Sequence, residues 1–339
     1  MIEIIRPGAL ASVQGPPRVG YRRFGVGGTG AMDPVALAVG NRLLGNDPCC
    51  AAIEFTLGRA ALRFHADMRV ALTGAETRAN LDGVPVWSWH AFDVRRGETL
   101  TLPAPRGGTR TYLCVAGGIG VAALMGSPST DLKGGFGGHE GRPLREGDRL
   151  QAGKPGLDGE RDWIGAQAPG WALPAARIDG AQPIRMLPGV EYEQFDEASQ
   201  AALWQAHWTV TPNSNRMGMR LDGPALRRRA DSAPELLSHG VVPGTMQVPP
   251  AGQPIALMAD AQTTGGYPKI GVVIGADLWR LAQAPLGSAV RFVRVSLAEA
   301  GEAQARLDAY LQRIDDALQW QAAGMPIAAR RRARTRLAA

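Results

Sequence analysis

Short runs in which apolar positions alternate or cluster dominate the chain. Ala61–Phe64, Arg69–Leu72, Thr99–Leu102 and Arg110–Val115 have strand length and are separated by turn formers such as Leu81-Asp82-Gly83 and Arg96-Gly97-Glu98. Earlier, Ile2-Glu3-Ile4-Ile5 reads as a strand stopped by Pro7-Gly8. With little helix between them, these strands favour an antiparallel barrel or sandwich over a parallel α/β sheet. A second β-rich region follows at about 181–297, with one predicted helix near Asp196–Ala206. Both regions close on a similar segment, Gly97–Leu102 and Gly287–Phe292, which points to two related barrels.

Helical period appears in two other places. Asp33-Pro34 starts a helix, because Asp caps free amides and Pro suits the first helical position. Val35, Leu37, Ala38, Leu43 and Leu44 form its apolar side and Gly45-Asn46-Asp47-Pro48 ends it. Near the C-terminus, Leu307, Tyr310, Leu311, Ile314 and Leu318 share one helix face, which needs a barrel or a partner to cover it. The pattern divides the chain into a β-barrel unit at 1–165, a second at 181–298, an amphipathic helix at 299–322 and a basic tail at 323–339. The Gly-, Pro-, Ala- and Asp-rich stretch 151–180 reads as the connection, with Trp163 and Trp171 as its anchors.

Composition agrees with many turns: 44 Gly and 25 Pro lie along 339 residues without a collagen period. The net charge of +6 is concentrated in the tail. Arg330, Arg331, Arg332, Arg334 and Arg336 account for five of it and the rest of the chain carries +1, so nucleic-acid binding is not expected. Cys49, Cys50 and Cys114 make no disulfide framework and fit a reducing compartment. No signal-peptide pattern opens the sequence, and no apolar run approaches the ~20 residues of a membrane span, so a cytoplasmic protein is expected.

Several chemistries are excluded. Gly25-Val26-Gly27-Gly28-Thr29-Gly30 fits GxGxxG, yet Tyr21-Arg22-Arg23-Phe24 makes a poor buried parallel strand and no βαβ alternation follows. There is no P-loop, no GxSxG elbow and no ligand spacing among His65, His90, His139, His207 and His239, so no metal site is expected.

Two loops carry the functional groups. In the first, Lys133-Gly134-Gly135-Phe136-Gly137-Gly138-His139-Glu140-Gly141-Arg142, successive glycines let backbone amides converge on an anion between two cations. The second, Asp260-Ala261-Gln262-Thr263-Thr264-Gly265-Gly266-Tyr267-Pro268-Lys269, packs acid, amide, hydroxyls, phenol and amine around a Gly pair. Asp260 is placed to orient or deprotonate an amide N–H, and Lys269 to neutralise charge on a carbonyl or phosphoryl oxygen. The chain has only three lysines, Lys133, Lys154 and Lys269, and two of them lie in these loops.

An ordered series of segments resembles the biotin-dependent carboxyltransferase-like family. That family includes the KipA-type C subunit of 5-oxoprolinase, allophanate hydrolase subunit 2 and the carboxyltransferase part of urea amidolyase. The series comprises Gly30–Pro34, Glu54–Gly58, Ala71–Ala75, Val115–Ile119, Gly134–Gly138, Asn215–Gly218, Gly240–Pro249 and Gln262–Ile270. The resemblance implies a mainly β fold of two cyclophilin-like β-barrel subdomains plus a C-terminal helix, with a site between them. It implies ATP-dependent opening of 5-oxoproline to glutamate together with the KipI-like B subunit and the A subunit of 5-oxoprolinase, ATP being bound here or by a partner. The alternatives are a carboxyltransferase for urea or another small amide, using carboxybiotin on a separate protein, and a regulatory KipI-binding protein. Mapped onto this chain, Asp260, Lys269 and Lys133 become the catalytic candidates. The substrate-binding candidates are Gly134, Gly135, Phe136, Gly137, Gly138, His139, Arg142, Asn215, Arg216, Gln247, Gln262, Thr263, Thr264, Gly265, Gly266 and Tyr267. The chain departs from the family pattern at Gly15, Asn215, Met219 and Ala261, which bears on the substrate rather than on the fold.

Overall fold

The computed structural model describes residues 1–153, 164–232 and 236–323; Lys154, Trp163 and the arginines of the basic tail lie outside them. The first half contains two six-stranded antiparallel sheets. One is ordered Arg149–Leu150, Ile2–Arg6, Ala60–Phe64, Thr99–Leu102, Asn80–Leu81, Val84–Pro85. The other is ordered Ile164–Gly165, His90–Val94, Met68–Glu76, Arg106–Val115, Ala52–Thr56, Leu10–Gln14. Their facing sides bury Ile2, Ile4, Val13, Ile53, Phe55, Leu62, Phe64, Leu72, Phe92 and Leu113 in one core. The strand alternation predicts this division, because every second side chain of a strand faces the same way.

The second half closes a seven-stranded barrel. Its first strand, Gln182–Pro188, pairs in parallel with its last, Ala289–Arg294, in the register Ile184↔Phe292. Ile184, Met186, Phe195, Trp208, Leu221, Met246 and Phe292 fill the interior. The helix expected near Asp196–Ala206 spans Glu197–Gln205, and the Asp196 carboxylate caps it by accepting from Ser199 N at 2.7 Å. Fold class therefore agrees with the pattern reading, mainly β with few helices.

A third core joins the halves. Helix Pro34–Leu44 is capped by Asp33, whose Oδ1 accepts from Ala36 N at 2.9 Å, and ends at Gly45 in the left-handed region, φ 66°. One side of it lies on Ala52, Ala71, Ala91, Tyr112 and Cys114 of the second sheet; the other meets Leu307, Tyr310 and Ile314 of the C-terminal helix Leu297–Ala322. The apolar face predicted for that last helix is thus covered within the chain, and Arg42–Asp315 adds an ion pair at 2.9 Å. Gln283 ties the barrel to the first half with all four of its amide bonds. Its Nε2 donates to Asp33 Oδ2 and Arg110 O at 2.9 Å, and its Oε1 accepts from Thr109 N and Arg110 N at 3.0 Å.

The expected connection is less of a linker than its composition suggests. Ile164–Gly165 adds a strand to the second sheet, pairing with His90 and Ala91. Trp171 is 79% exposed, so it is not the buried anchor expected. Among the described residues no helix is long and apolar enough to cross a membrane.

The seam between helix and sheet leaves no room at Gly40. A Cβ there would fall inside the contact distance of Cys114 Sγ and 3.2 Å from Thr73 Oγ1, whose hydroxyl donates to Ala36 O at 2.8 Å. Gly to Ala inside a helix ordinarily stabilises by up to ~1 kcal/mol, but overpacking costs about 1–3 kcal/mol and should win here. Gly40→Ala is expected to lower the urea midpoint at unchanged m-value.

Candidate functional site

The clearest concentration of buried charge lies where the two halves meet. Glu54 is the one charged residue in strand Ala52–Thr56; Ile53 and Phe55 face the core between the sheets, and Glu54 faces the opposite way, toward the junction. Its Oε2 accepts from Met32 N at 2.9 Å and from the Tyr112 hydroxyl at 2.6 Å, and that hydroxyl accepts from Asp33 N at 2.8 Å. Its Oε1 meets Arg216 Nη1 of the barrel at 2.5 Å. Arg216 also donates from Nε and Nη2 to the two oxygens of Asp260, at 2.9 and 2.8 Å, and from Nη2 to Gly30 O at 2.6 Å. Arg216 is 4% exposed, Glu54 1% and Asp260 8%.

One guanidinium thus serves two carboxylates, and their environments push them apart. For Glu54, burial raises the carboxyl, but Arg216, Arg110, Tyr112 and the Met32 amide outweigh it and leave the group below its ordinary range. For Asp260, burial raises the carboxyl, Arg216 opposes, and the charges of Glu54 and Asp131 add to the rise, so the group ends above its ordinary range. Two acids separated in this way are what proton-transfer chemistry uses, and Asp260 is the one that can hold a proton nearer neutrality.

Beyond Asp260 the chain runs along a cavity of about 700 Å³. Gln247, Gln262, Gly265, Gly266 and Tyr267 line it with Arg227 and Arg228, and Phe195, Leu226, Pro249 and Pro268 supply apolar wall. Gln262 Nε2 donates to Gln247 Oε1 at 3.2 Å, while Gln247 Nε2 is buried and has no acceptor among the described residues. Arg228 gives one nitrogen to Gln194 Oε1 at 2.8 Å, and its Nε is buried with no partner among the described residues. Both groups are donors, and the wall they belong to carries amides and guanidinium groups suited to a carbonyl or carboxylate ligand. Tyr267 is 47% exposed at the edge.

Lys269 opens the barrel strand Lys269–Val273 directly after this wall and is 3% exposed. Burial lowers its ammonium below the usual lysine value, against the pull of Glu191. Its Nζ lies 2.5 Å from His239 Nε2, which is 2.9 Å from Glu191 Oε1.

The first glycine loop departs from its expected use. The amides of Lys133 and Gly134 do converge on an anion, but it is the chain's own Asp131, whose Oδ1 accepts them at 3.1 and 2.8 Å. The Gly135 amide goes to Asp131 O at 2.8 Å. Phe136 lies under the Arg18 guanidinium at 4.7 Å, and Gly137 packs against that guanidinium so closely that a Cβ would collide with it. Arg18 in turn feels the charges of Asp131 and Asp260, which links this loop electrostatically to the junction. Gly138 lies against Thr130.

Arg142 is taken up by Asp148 in a bidentate pair at 2.7 and 2.9 Å and by Glu140, and it holds the Asp148 carboxyl down at about 2. His139 faces the same carboxylate at 3.6 Å. Both therefore serve the loop's own structure rather than an open site. Asn215 likewise closes a turn, its Oδ1 accepting from Met217 N at 2.8 Å and Gly218 N at 3.3 Å. Thr263 O accepts from Val241 N, and Thr264 and Gly265 pair with Gly240 and His239.

The fold therefore brings Gln247, Gln262, Gly265, Gly266 and Tyr267 to one cavity, starts the next strand with Lys269, and leaves Asp260 and Arg216 at the junction. Lys133 is exposed on its loop. Sequence reasoning passed over Glu54, Arg18, Glu191, Arg227 and Arg228. A lone acid inside the apolar run Ala51–Phe55 was the available signal for Glu54; nothing local marks the others. The GxGxxG stretch, set aside as a dinucleotide site, proves to be junction: Gly30 O receives Arg216, and the preceding Arg22 donates to Val241 O and to Gln262 O at 3.3 Å.

Residues 24–294 match the family described as carboxyltransferase domain, subdomain A and B. The chain is 48% identical over 314 residues to the C subunit of 5-oxoprolinase from Escherichia coli, covering 93% of this chain and 97% of that protein. The Haemophilus influenzae protein of the same name is 44% identical over the same shares. Among solved structures, the urea amidolyase of K. lactis superposes with a TM-score of 0.83 at 29% identity, over 92% of this chain and 20% of that one.

Replacing Arg216 by Met should leave Glu54 and Asp260 buried without their directly bonded counter-charge and cost about 3–5 kcal/mol at neutral pH. Without the guanidinium both carboxyls are pushed up by burial. A raised acid loses folded-state stability as pH rises, so the deficit should shrink as pH falls from 7 toward 4. Urea unfolding of both proteins across that range measures it, and a deficit independent of pH would contradict the assignment.

Proposed function

This chain belongs to the carboxyltransferase-domain family of subdomains A and B, and from that premise we propose that it works as the C subunit of a 5-oxoprolinase. The observation that carries the reading is 48% identity sustained over 93% of this chain and 97% of the Escherichia coli protein. The likeness to urea amidolyase, at 29% identity, speaks for the shared scaffold more than for a shared substrate.

The cavity suits the substrate's chemistry. A 5-oxoproline molecule offers a carboxylate, a lactam carbonyl, one N–H and an apolar ring edge. Arg227 and Arg228 at the cavity wall supply charge for the carboxylate, and an arginine–carboxylate pair is among the stronger hydrogen-bonded contacts. Gln247 and Gln262 at the wall offer amides to the carbonyl, and Phe195, Leu226 and the prolines pack on the ring. Asp260, two residues from Gln262 and raised in affinity for its proton, is the group we assign to the lactam nitrogen.

The lactam is resonance-stabilised, so ring opening is driven by ATP as co-substrate: a phosphoryl group on the carbonyl oxygen makes the carbon electrophilic and gives a good leaving group. A single five-membered lactam fills only part of about 700 Å³, which leaves space for part of a second reactant. The sequence carries no P-loop, so we assign the nucleotide mainly to a partner. The partners in this reading are a KipI-like B subunit and an A subunit, and the three free cysteines fit a cytoplasmic assembly.

ATP-dependent glutamate formation by this chain with its native partner proteins tests the reading. Turnover should require this chain. Arg228→Gln should raise KM for 5-oxoproline about tenfold or more, the loss of ~1.5–3 kcal/mol expected for a charge-assisted contact. The uncharged lactam 2-pyrrolidinone should be a poor substrate for wild type and no poorer for the variant. A well-formed complex that opens other lactams and leaves 5-oxoproline untouched would sink the proposal.

A further inference from the structure

Three side chains beside the cavity form a cluster that the substrate contacts above do not use. Glu191 follows the first barrel strand and is 7% exposed. Its Oε2 accepts from the backbone amide of Lys269 at 2.8 Å, which pins the carboxylate at the start of that strand. Its Oε1 lies 2.9 Å from His239 Nε2, and the same ring nitrogen lies 2.5 Å from Lys269 Nζ. His239 reaches this place from the two-residue strand His239–Gly240, whose register partner is the cavity-lining Gly265. Its side chain is 45% exposed, so the imidazole is the open member of a cluster whose other two members are buried.

One nitrogen between a carboxylate oxygen and an amine nitrogen has two arrangements open to it. Either the Lys269 ammonium donates to a neutral imidazole, or the proton has crossed to Nε2. In the second case an imidazolium donates to Glu191 and Lys269 is left as a free amine. The two differ by the position of one proton over 2.5 Å. Burial disfavours the Lys269 ammonium, which brings the two arrangements closer together.

We propose that Glu191, His239 and Lys269 are a proton relay, in which Lys269 is the catalytic base and Glu191 and His239 position and recharge it. The proposal rests on the oxoprolinase reading for its substrate. As water's oxygen bonds to the activated lactam carbon, one water proton passes to the Lys269 amine. As the carbon–nitrogen bond breaks, the ammonium returns that proton to the departing ring nitrogen and the second water proton leaves as the carbonyl re-forms. The acyl phosphate so produced releases inorganic phosphate to a second water, giving the carboxylate. Lys269 ends as it began and no electrons are transferred to or from the protein. This role replaces the simpler one of a fixed positive charge: a lysine held against a histidine is better suited to exchanging a proton than to standing as a cation.

The chain's three lysines make the cluster directly observable, because a lysine-labelled sample gives only three side-chain ammonium titrations by NMR. In wild type the Lys269 signal should titrate below the ordinary lysine value of ~10.4. Glu191→Gln removes the one carboxylate that favours the ammonium and should lower the midpoint further, by roughly a unit. In the complete enzyme, His239→Gln should cut kcat by about 100-fold or more while KM stays within about threefold, and should alter the pH profile of kcat. Lys269→Arg, which keeps the charge but cannot give up its proton, should not rescue activity. A Lys269 midpoint at the ordinary value and unmoved by Glu191→Gln overturns the relay, as does full kcat with an unchanged pH profile in His239→Gln. A coupled, lowered midpoint in a wild-type complex that never opens 5-oxoproline would support the cluster and reject the substrate assignment instead.

Discussion

Among the described residues, the guanidinium of Arg216 is the one positive charge that touches both Glu54 and Asp260, and the joint between the two halves is built around it. Glu54 belongs to the first half, Asp260 and Arg216 to the barrel, and Gly30 supplies a carbonyl from the loop between. Such a triad is not a large net source of stability, because removing three charges from water costs nearly as much as their attraction returns. Its value is positional. Any sliding of one half against the other would leave at least one buried charge unpaired, so the halves have one low-energy arrangement. Tyr112, Asp33 and Gln283 extend the same constraint through hydrogen bonds to helix Pro34–Leu44 and the barrel.

That constraint reaches the candidate site through Asp260. Its carboxylate is held by Arg216, so the segment leading to Gln262 and on to Lys269 starts from a fixed point. The segment then bends through Thr264–Gly265, which pairs with His239–Gly240 and brings the imidazole against Lys269. The cavity wall and the contact between Lys269 and His239 thus share one stretch of backbone. The glycine loop at 134–138 plays a supporting part: its amides close on Asp131, and Asp131 and Arg18 lie within electrostatic reach of Asp260.

The local elements were legible because their causes are local. Asp33-Pro34 and Gly45 mark the ends of a helix by capping chemistry, and the three- and four-residue spacing of Leu307, Tyr310 and Ile314 describes a face that the fold does bury. Alternation in Ile53–Phe55 and Leu100–Leu102 likewise reports which side chains face inward. The density of functional groups from Asp260 to Lys269 also showed in the sequence, since a turn of purely structural purpose has little use for so many.

Pairings between distant segments were not legible. Glu191 and His239 are 48 residues apart, and Glu54 and Arg216 are separated by 162. Neither pair has a spacing that periodicity or turn chemistry could flag. The same limit explains why Arg142 and Asn215 read as ligand groups although they brace their own loops, and why the start of the glycine loop read as an open cradle although Asp131 takes the Lys133 and Gly134 amides. By itself the sequence determined the main helices and strands, the mainly β fold class and the family. Tertiary structure alone decided which charges meet, because a charged group's role depends on the partners and the burial that folding brings to it, and those come from the other end of the chain.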